Sequence, residues 1–216
     1  MISNLKKLRG IATLIFLVLF FAVCQVYAQK AEEYFDRGVK YAGDGKYNEA
    51  IVELSKAIWS NPKDPRAYYT RGYIYSLKGD LDKAILDYTK AIELKPNLSK
   101  AHDKRGDLYV EKNELTRAIA DFNKAIEIEP TLAEAYNGRG TAHAKRGERN
   151  KAISDYNKAI EIKPNLATAY CGRANIYFVR NEYDKAWEDV HKAEELGYDV
   201  SPEFIEELKR LSGREK

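Results

Sequence analysis

Small and apolar residues recur along residues 31–200 with one long period. Gly38, Gly72, Gly106 and Gly140 stand 34 apart, with Ala174 in the fifth place. Ala50, Ala84, Ala118, Ala152 and Ala186 keep the same step, and so do Ala57, Ala91, Ala125, Ala159 and Ala193. Pro62, Pro96, Pro130 and Pro164 close four of the units. A period of this size means one supersecondary unit stacked repeatedly. Five units fit, at 31–64, 65–98, 99–132, 133–166 and 167–200. Within 65–98, Tyr68, Gly72 and Tyr75 fall on one face at helical spacing. Gly79-Asp80 then breaks the run. Ala84, Tyr88 and Ala91 mark the facing stripe of a second helix, which Pro96 stops. The small residues let the two helices approach, and the aromatics fill the space around them. One such hairpin cannot bury its own face, so its neighbours must cover it. Beyond the fifth unit, Ser201-Pro202 is a helix-start signal. Phe204, Leu208 and Leu211 then repeat the register of a first helix, so 201–216 reads as a covering helix and tail.

The order within each unit is a large residue, Gly four later, Tyr or His three after that, then Ala, an aromatic, Ala and Pro. This resembles the tetratricopeptide repeat, over about 170 of the 216 residues. The resemblance implies an all-α, right-handed superhelical solenoid of five helix-turn-helix repeats plus a C-terminal capping helix. Some positions depart from the family pattern. The seventh place, usually leucine, holds Arg37, Arg71, Arg105, Arg139 and Arg173, and the fifth unit has Ala174 for Gly and Tyr198 for the closing Pro.

Residues 1–28 follow a different pattern. Lys6, Lys7 and Arg9 come first, Ile11 to Val23 carry no charge, and Val26-Tyr27-Ala28 precedes Gln29. This is the layout of a secretory signal peptide, with cleavage expected after Ala28. Two other readings stay open. The uncharged run from Gly10 to Gln29 is long enough to remain as an uncleaved membrane anchor. Phe21-Ala22-Val23-Cys24 also resembles a bacterial lipoprotein box, although Val23 stands where that box wants a smaller residue. All three place residues 29–216 outside the cytoplasm, periplasmic or secreted, because the basic residues precede the apolar run. The membrane is then a partner only through an uncleaved N-terminal segment.

Charge and chemistry narrow the function. The formal charge of +3 comes from 36 basic and 33 acidic residues, and the leader holds three of the basic ones. The rest is balanced at 33 of each, so no electrostatic case for nucleic acid survives. Outside the leader Cys171 is the one cysteine, which forms no internal disulfide. His102 and His143 occupy places where sister units carry tyrosine and read as core substitutions. There is no His-Glu-x-x-His, phosphate-binding glycine loop or nucleophile elbow. No cofactor, metal or catalytic residue is expected, and the chain reads as a non-enzymatic interaction module.

In the family resembled, certain first-helix positions line a concave groove for a peptide segment. Mapped onto this chain, two of them give Phe35 and Val39, Tyr69 and Tyr73, Asp103 and Asp107, Asn137 and Thr141, Cys171 and Asn175. The implied partner is a protein or peptide with an apolar anchor and a Lys or Arg. Asn137 and Asn175 would pair its backbone. Of the sixteen tyrosines, Tyr69, Tyr73 and Tyr198 lack a scaffold role. Trp59 stands where sister units have Glu93, Glu127, Glu161 and Glu195. It therefore reads either as a residue packed against 29–34 or as an exposed aromatic that meets a partner, a membrane surface or a second copy, the last making a self-assembling scaffold of the cell envelope. Each of the five arginines has an acid sixteen residues on: Glu53, Asp87, Asp121, Asp155 and Asp189. Five matched pairs read as structural ion pairs rather than a polyanion site.

Overall fold

The computed structural model describes residues 17, 21, 25 and 27–213. The leader readings, the Cys24 box and the last three residues therefore fall largely outside the described residues. Helix α1 occupies 27–43. It is followed by α2 (Tyr47–Ser60), α3 (Pro65–Leu77), α4 (Leu81–Leu94), α5 (Ser99–Glu111), α6 (Leu115–Ile128), α7 (Ala133–Lys145), α8 (Arg149–Ile162), α9 (Ala167–Val179), α10 (Tyr183–Glu195) and α11 (Pro202–Ser212). The described residues contain no strand, and no helix among them is long and apolar enough to cross a membrane.

Turn chemistry sets the hairpins. The residue that reverses the chain after each first helix is left-handed: Gly45 (φ 72°), Gly79 (76°), Asn113 (59°), Gly147 (77°) and Asn181 (61°). Glycine and asparagine are the residues that tolerate this region. The next residue folds its N–H back onto the helix end, as in Asp80 to the Tyr75 carbonyl at 2.9 Å and Glu114 to the Tyr109 carbonyl at 2.8 Å. These bonds satisfy carbonyls that the helix end leaves open. Among the described residues, two helix starts carry side-chain caps, the second at the Ser201-Pro202 signal. Asp64 accepts from the Arg66 N–H ahead of Pro65, and Ser201 accepts from the Phe204 N–H ahead of Pro202.

The helices group into two compact units that divide after Pro96. In the first, α1 to α4 enclose Ala50, Leu54 and Ile74, with Phe35, Tyr41 and Tyr47 packed against them. In the second, α5 to α11 are built around two aromatic plugs. A Cβ on Gly106 or Gly138 would lie 2.8 or 2.5 Å from the Phe122 ring. A Cβ on Gly140 or Gly172 would lie 2.9 or 2.6 Å from Tyr156. Each plug thus presses one glycine of its own hairpin and one of the next. At the C-terminal end, Leu208 of α11 is fully buried with Trp187 and Val190. Phe204 meets Phe178 edge to face at 5.2 Å, and the Trp187 indole donates to Ser212. The covering helix expected after Ser201 is present as α11.

Candidate functional site

The arginine ladder is paired throughout. Arg71, Arg105, Arg139 and Arg173 each hold the aspartate sixteen residues on in a two-point fork of 2.6–2.9 Å. The remaining guanidinium nitrogen also donates to the preceding hairpin, as in Arg71 to Ser55, Arg139 to Asn123 and Arg173 to Asn157. The planar fork of arginine serves two hairpins at once, which a leucine could not do. Arg37 differs. It makes one contact to Glu53 at 2.8 Å, and its side chain is 51% exposed. These residues belong to the scaffold.

In the first unit, the mapped groove residues have unequal roles. Phe35 is half-buried on the core, with the Arg66 guanidinium 4.7 Å above its ring. Arg66 is itself fixed by Glu32 and Asp64. Phe35 is therefore a covered packing residue. Tyr69 lies half-buried with its ring 5.5 Å from Tyr88. Tyr73, 44% exposed, and Val39 are the open ones among the mapped groove residues of this unit.

The second unit has the unusual electrostatics. Asp103 sits on α5 with only 2% of its surface exposed. Its Oδ2 meets the Lys104 ammonium at 3.1 Å, and Lys104 also holds the exposed Asp107 at 2.9 Å. The other oxygen of Asp103, Oδ1, is buried without a hydrogen-bond partner, and so is Oδ1 of Asn137 on α7. Helices α5 and α7 pack against each other, and the carboxylate of Glu134 adds to the field at Asp103. Burial, with Asp107 nearby, pushes the Asp103 carboxyl up to about 6. Asp103 is thus no member of a solvated acidic face. Thr141 donates to the Asn137 carbonyl at 3.0 Å. Asn175 turns its amide onto the Cys171 carbonyl at 2.9 Å on its own helix. Burial raises the Cys171 thiol, which the Tyr198 hydroxyl approaches.

His102 and His143 are buried and bonded to Asp121 and Glu148. Among the described residues no group of three His, Cys, Asp or Glu side chains could hold a metal. Sequence reasoning missed Lys104 and Glu134, the two charges that complete the surroundings of Asp103. No periodic signal marks either.

The family model described as "TPR repeat" matches residues 31–79 and 106–147, and the one described as "Tetratricopeptide repeat" matches 65–98 and 133–166. Between them they take in most of the periodic region. The chain belongs to the tetratricopeptide-repeat family. No curated protein matches it. Among solved tetratricopeptide-like structures, MamA is 27% identical, covering 78% of this chain and 92% of its own at a TM-score of 0.69. PilW, titled a widely conserved type IV pilus biogenesis factor, is 20% identical over 86% of this chain and 87% of its own, at 0.77. YrrB, titled a TPR protein with an unusual peptide-binding site, is 20% identical over 80% and 93%, at 0.63. At 20% identity the last two speak to the fold alone. The tetratricopeptide matches stop at 166, and the hairpin beyond carries Ala174 and Tyr198 in place of Gly and Pro.

Proposed function

We propose that this tetratricopeptide-repeat protein is an exported, non-enzymatic adaptor that captures a segment of another protein through a basic side chain. Asp103 carries the reading. A buried acceptor without a donor costs about 1–3 kcal/mol. Lys104 supplies one oxygen of Asp103 and leaves Oδ1 open, beside a helix on which Asn137 Oδ1 is open too. A Lys ammonium or Arg guanidinium brings the missing donors and a charge to match. Asp107, exposed at the same helix face, extends the attraction toward solvent. In the first unit Tyr73 offers an apolar contact of the kind that anchors extended peptides. Export is supported by the basic residues ahead of the uncharged run, which leave residues 29–216 outside the cytoplasm.

The test is affinity capture of the chain from its own cells, run beside Tyr73→Ala and Asp107→Lys variants whose helicity is intact. The expected result is a partner caught by the parent, lost by Asp107→Lys and weakened about tenfold by Tyr73→Ala. Its bound segment should contain a Lys or Arg whose replacement by Glu abolishes binding. Undiminished capture by Asp107→Lys would remove the reading.

A further inference from the structure

Trp59 breaks the most regular feature of the outer surface. In four hairpins the second helix pairs a lysine with a glutamate three residues on: Lys90–Glu93, Lys124–Glu127, Lys158–Glu161 and Lys192–Glu195, at 2.6–2.9 Å. In the first hairpin Trp59 takes the glutamate's place, 76% exposed, and Lys56 turns to Glu53 instead. Its indole stands edge-on to the Tyr27 ring at 6.4 Å. Tyr27, Tyr34, Val52 and Trp59, with Lys30 and Lys56, line an open groove of about 790 Å³ between α1 and α2. An exposed tryptophan on an apolar groove rimmed by lysines is the composition of a bilayer interface, where aromatic rings sit at headgroup level and lysines reach for phosphate.

The position of this groove along the chain identifies its occupant. The uncharged run from Gly10 to Gln29 spans twenty residues, about 30 Å if helical, which is the thickness of a bilayer core. Tyr27 stands at its outer end and Lys30 is the first charge beyond it. Helix α1 includes Tyr27 and Ala28, so the Tyr27–Trp59 ring contact belongs to a chain that keeps its N-terminal segment. We infer that residues 10–29 stay attached as an anchor, and that the Trp59 groove is a lipid-contacting surface that seats the first hairpin on the outer face of the bilayer. This inference is independent of the Asp103 reading, since the two surfaces share no residue.

The experiment uses the full chain reconstituted into phosphatidylcholine–phosphatidylglycerol vesicles, with and without brominated phosphatidylcholine, which quenches tryptophan at close range. Trp187 is buried and serves as an unquenched internal reference. Quenching of the exposed indole is expected in the parent and is lost in Trp59→Glu, while insertion and helicity are unchanged. Equal quenching in both proteins, or none in either, would overturn the proposal. So would an intact mass from cells showing a chain that starts at Gln29. Dimers in detergent that dissolve on Trp59→Glu would assign the groove to a second copy instead.

Discussion

Asp103 is a carboxylate held where its charge is costly, and this makes its two roles separable. An unfolded aspartate titrates near 3.9, whereas burial holds Asp103 at about 6. Above pH 6 the folded chain carries a buried charge that the unfolded chain carries in water. As pH falls from about 6 toward about 4, the folded state takes up a proton that the unfolded state does not. Its relative stability therefore rises over that window. Lys104, Asp107 and Glu134 face this group, and only Lys104 opposes the shift. Replacing Asp103 by Asn removes the penalty. The variant should be more stable than the parent above pH 6, by up to about 3 kcal/mol, and equal to it near pH 4. Urea unfolding at several pH values checks this. Capture of a basic segment should move the other way, weakening in the parent as pH drops through about 6 and failing in Asp103→Asn at every pH. A purely structural Asp103 would leave capture unchanged. The basic partner was read from the sequence, but the burial of Asp103 and its raised carboxyl were not. Position in the repeat predicts Asp103 on a groove face, but its depth depends on what packs around α5, and Lys104 and Glu134 occupy places that carry no regular residue type.

Pairs of helices were legible because they are built from residues that must repeat. Small residues where helices cross, a left-handed turn residue and a stop are required in every hairpin, so the 34-residue period exposes them. The arginine–acid match sixteen apart was readable on the same ground. Its third bond, to the preceding hairpin, was not, because Ser55, Asn123 and Asn157 share a place but not a residue type. The forked pairs predict unequal costs. Arg139→Ala leaves Asp155 buried without its partner and should cost about 3 kcal/mol. Arg37→Ala, where the arginine is half-exposed and Glu53 keeps Lys56 as a partner, should cost under about 1 kcal/mol. Chemical denaturation of both variants decides it. Gly138 and Gly172 share a repeat place that holds Asp36, Thr70 and Lys104 in the other units, which is why their packing went unread. An alanine there gains roughly 1 kcal/mol in helix propensity. At Gly138, however, its Cβ would meet the Phe122 ring at 2.5 Å. Overpacking should win, giving Gly138→Ala a net loss of about 1–2 kcal/mol. Combining it with Phe122→Leu, which shrinks the opposing plug, should recover part of that loss, whereas simple helix-propensity reasoning predicts a gain from Gly138→Ala alone.

Across a whole unit, stability passes from hairpin to hairpin, because each buries its neighbour's apolar face and little else. The second unit shows this chain of dependence in full. Phe122 locks α5–α6 to α7, Tyr156 locks α7–α8 to α9, and α11 closes the last face with Leu208. A stack of this kind unravels from whichever end loses its cover. Leu208 is fully buried, so Leu208→Ala should cost about 2–4 kcal/mol, most of it borne locally. Hydrogen exchange followed by peptide mass spectrometry would show where the loss falls. The expected order is early exchange in α9 and α10, intermediate in α7 and α8, and nearly parental protection in α5 and α6. Simultaneous loss from α5 to α10 would instead mean that the two aromatic plugs weld the unit into one cooperative block. The distinction bears on function. Asp103 lies on α5, at the far end of this unit from α11, so a graded stack protects the proposed peptide site from damage at the cap. Leu208→Ala should then retain capture of a basic segment at temperatures where α9 and α10 already exchange freely.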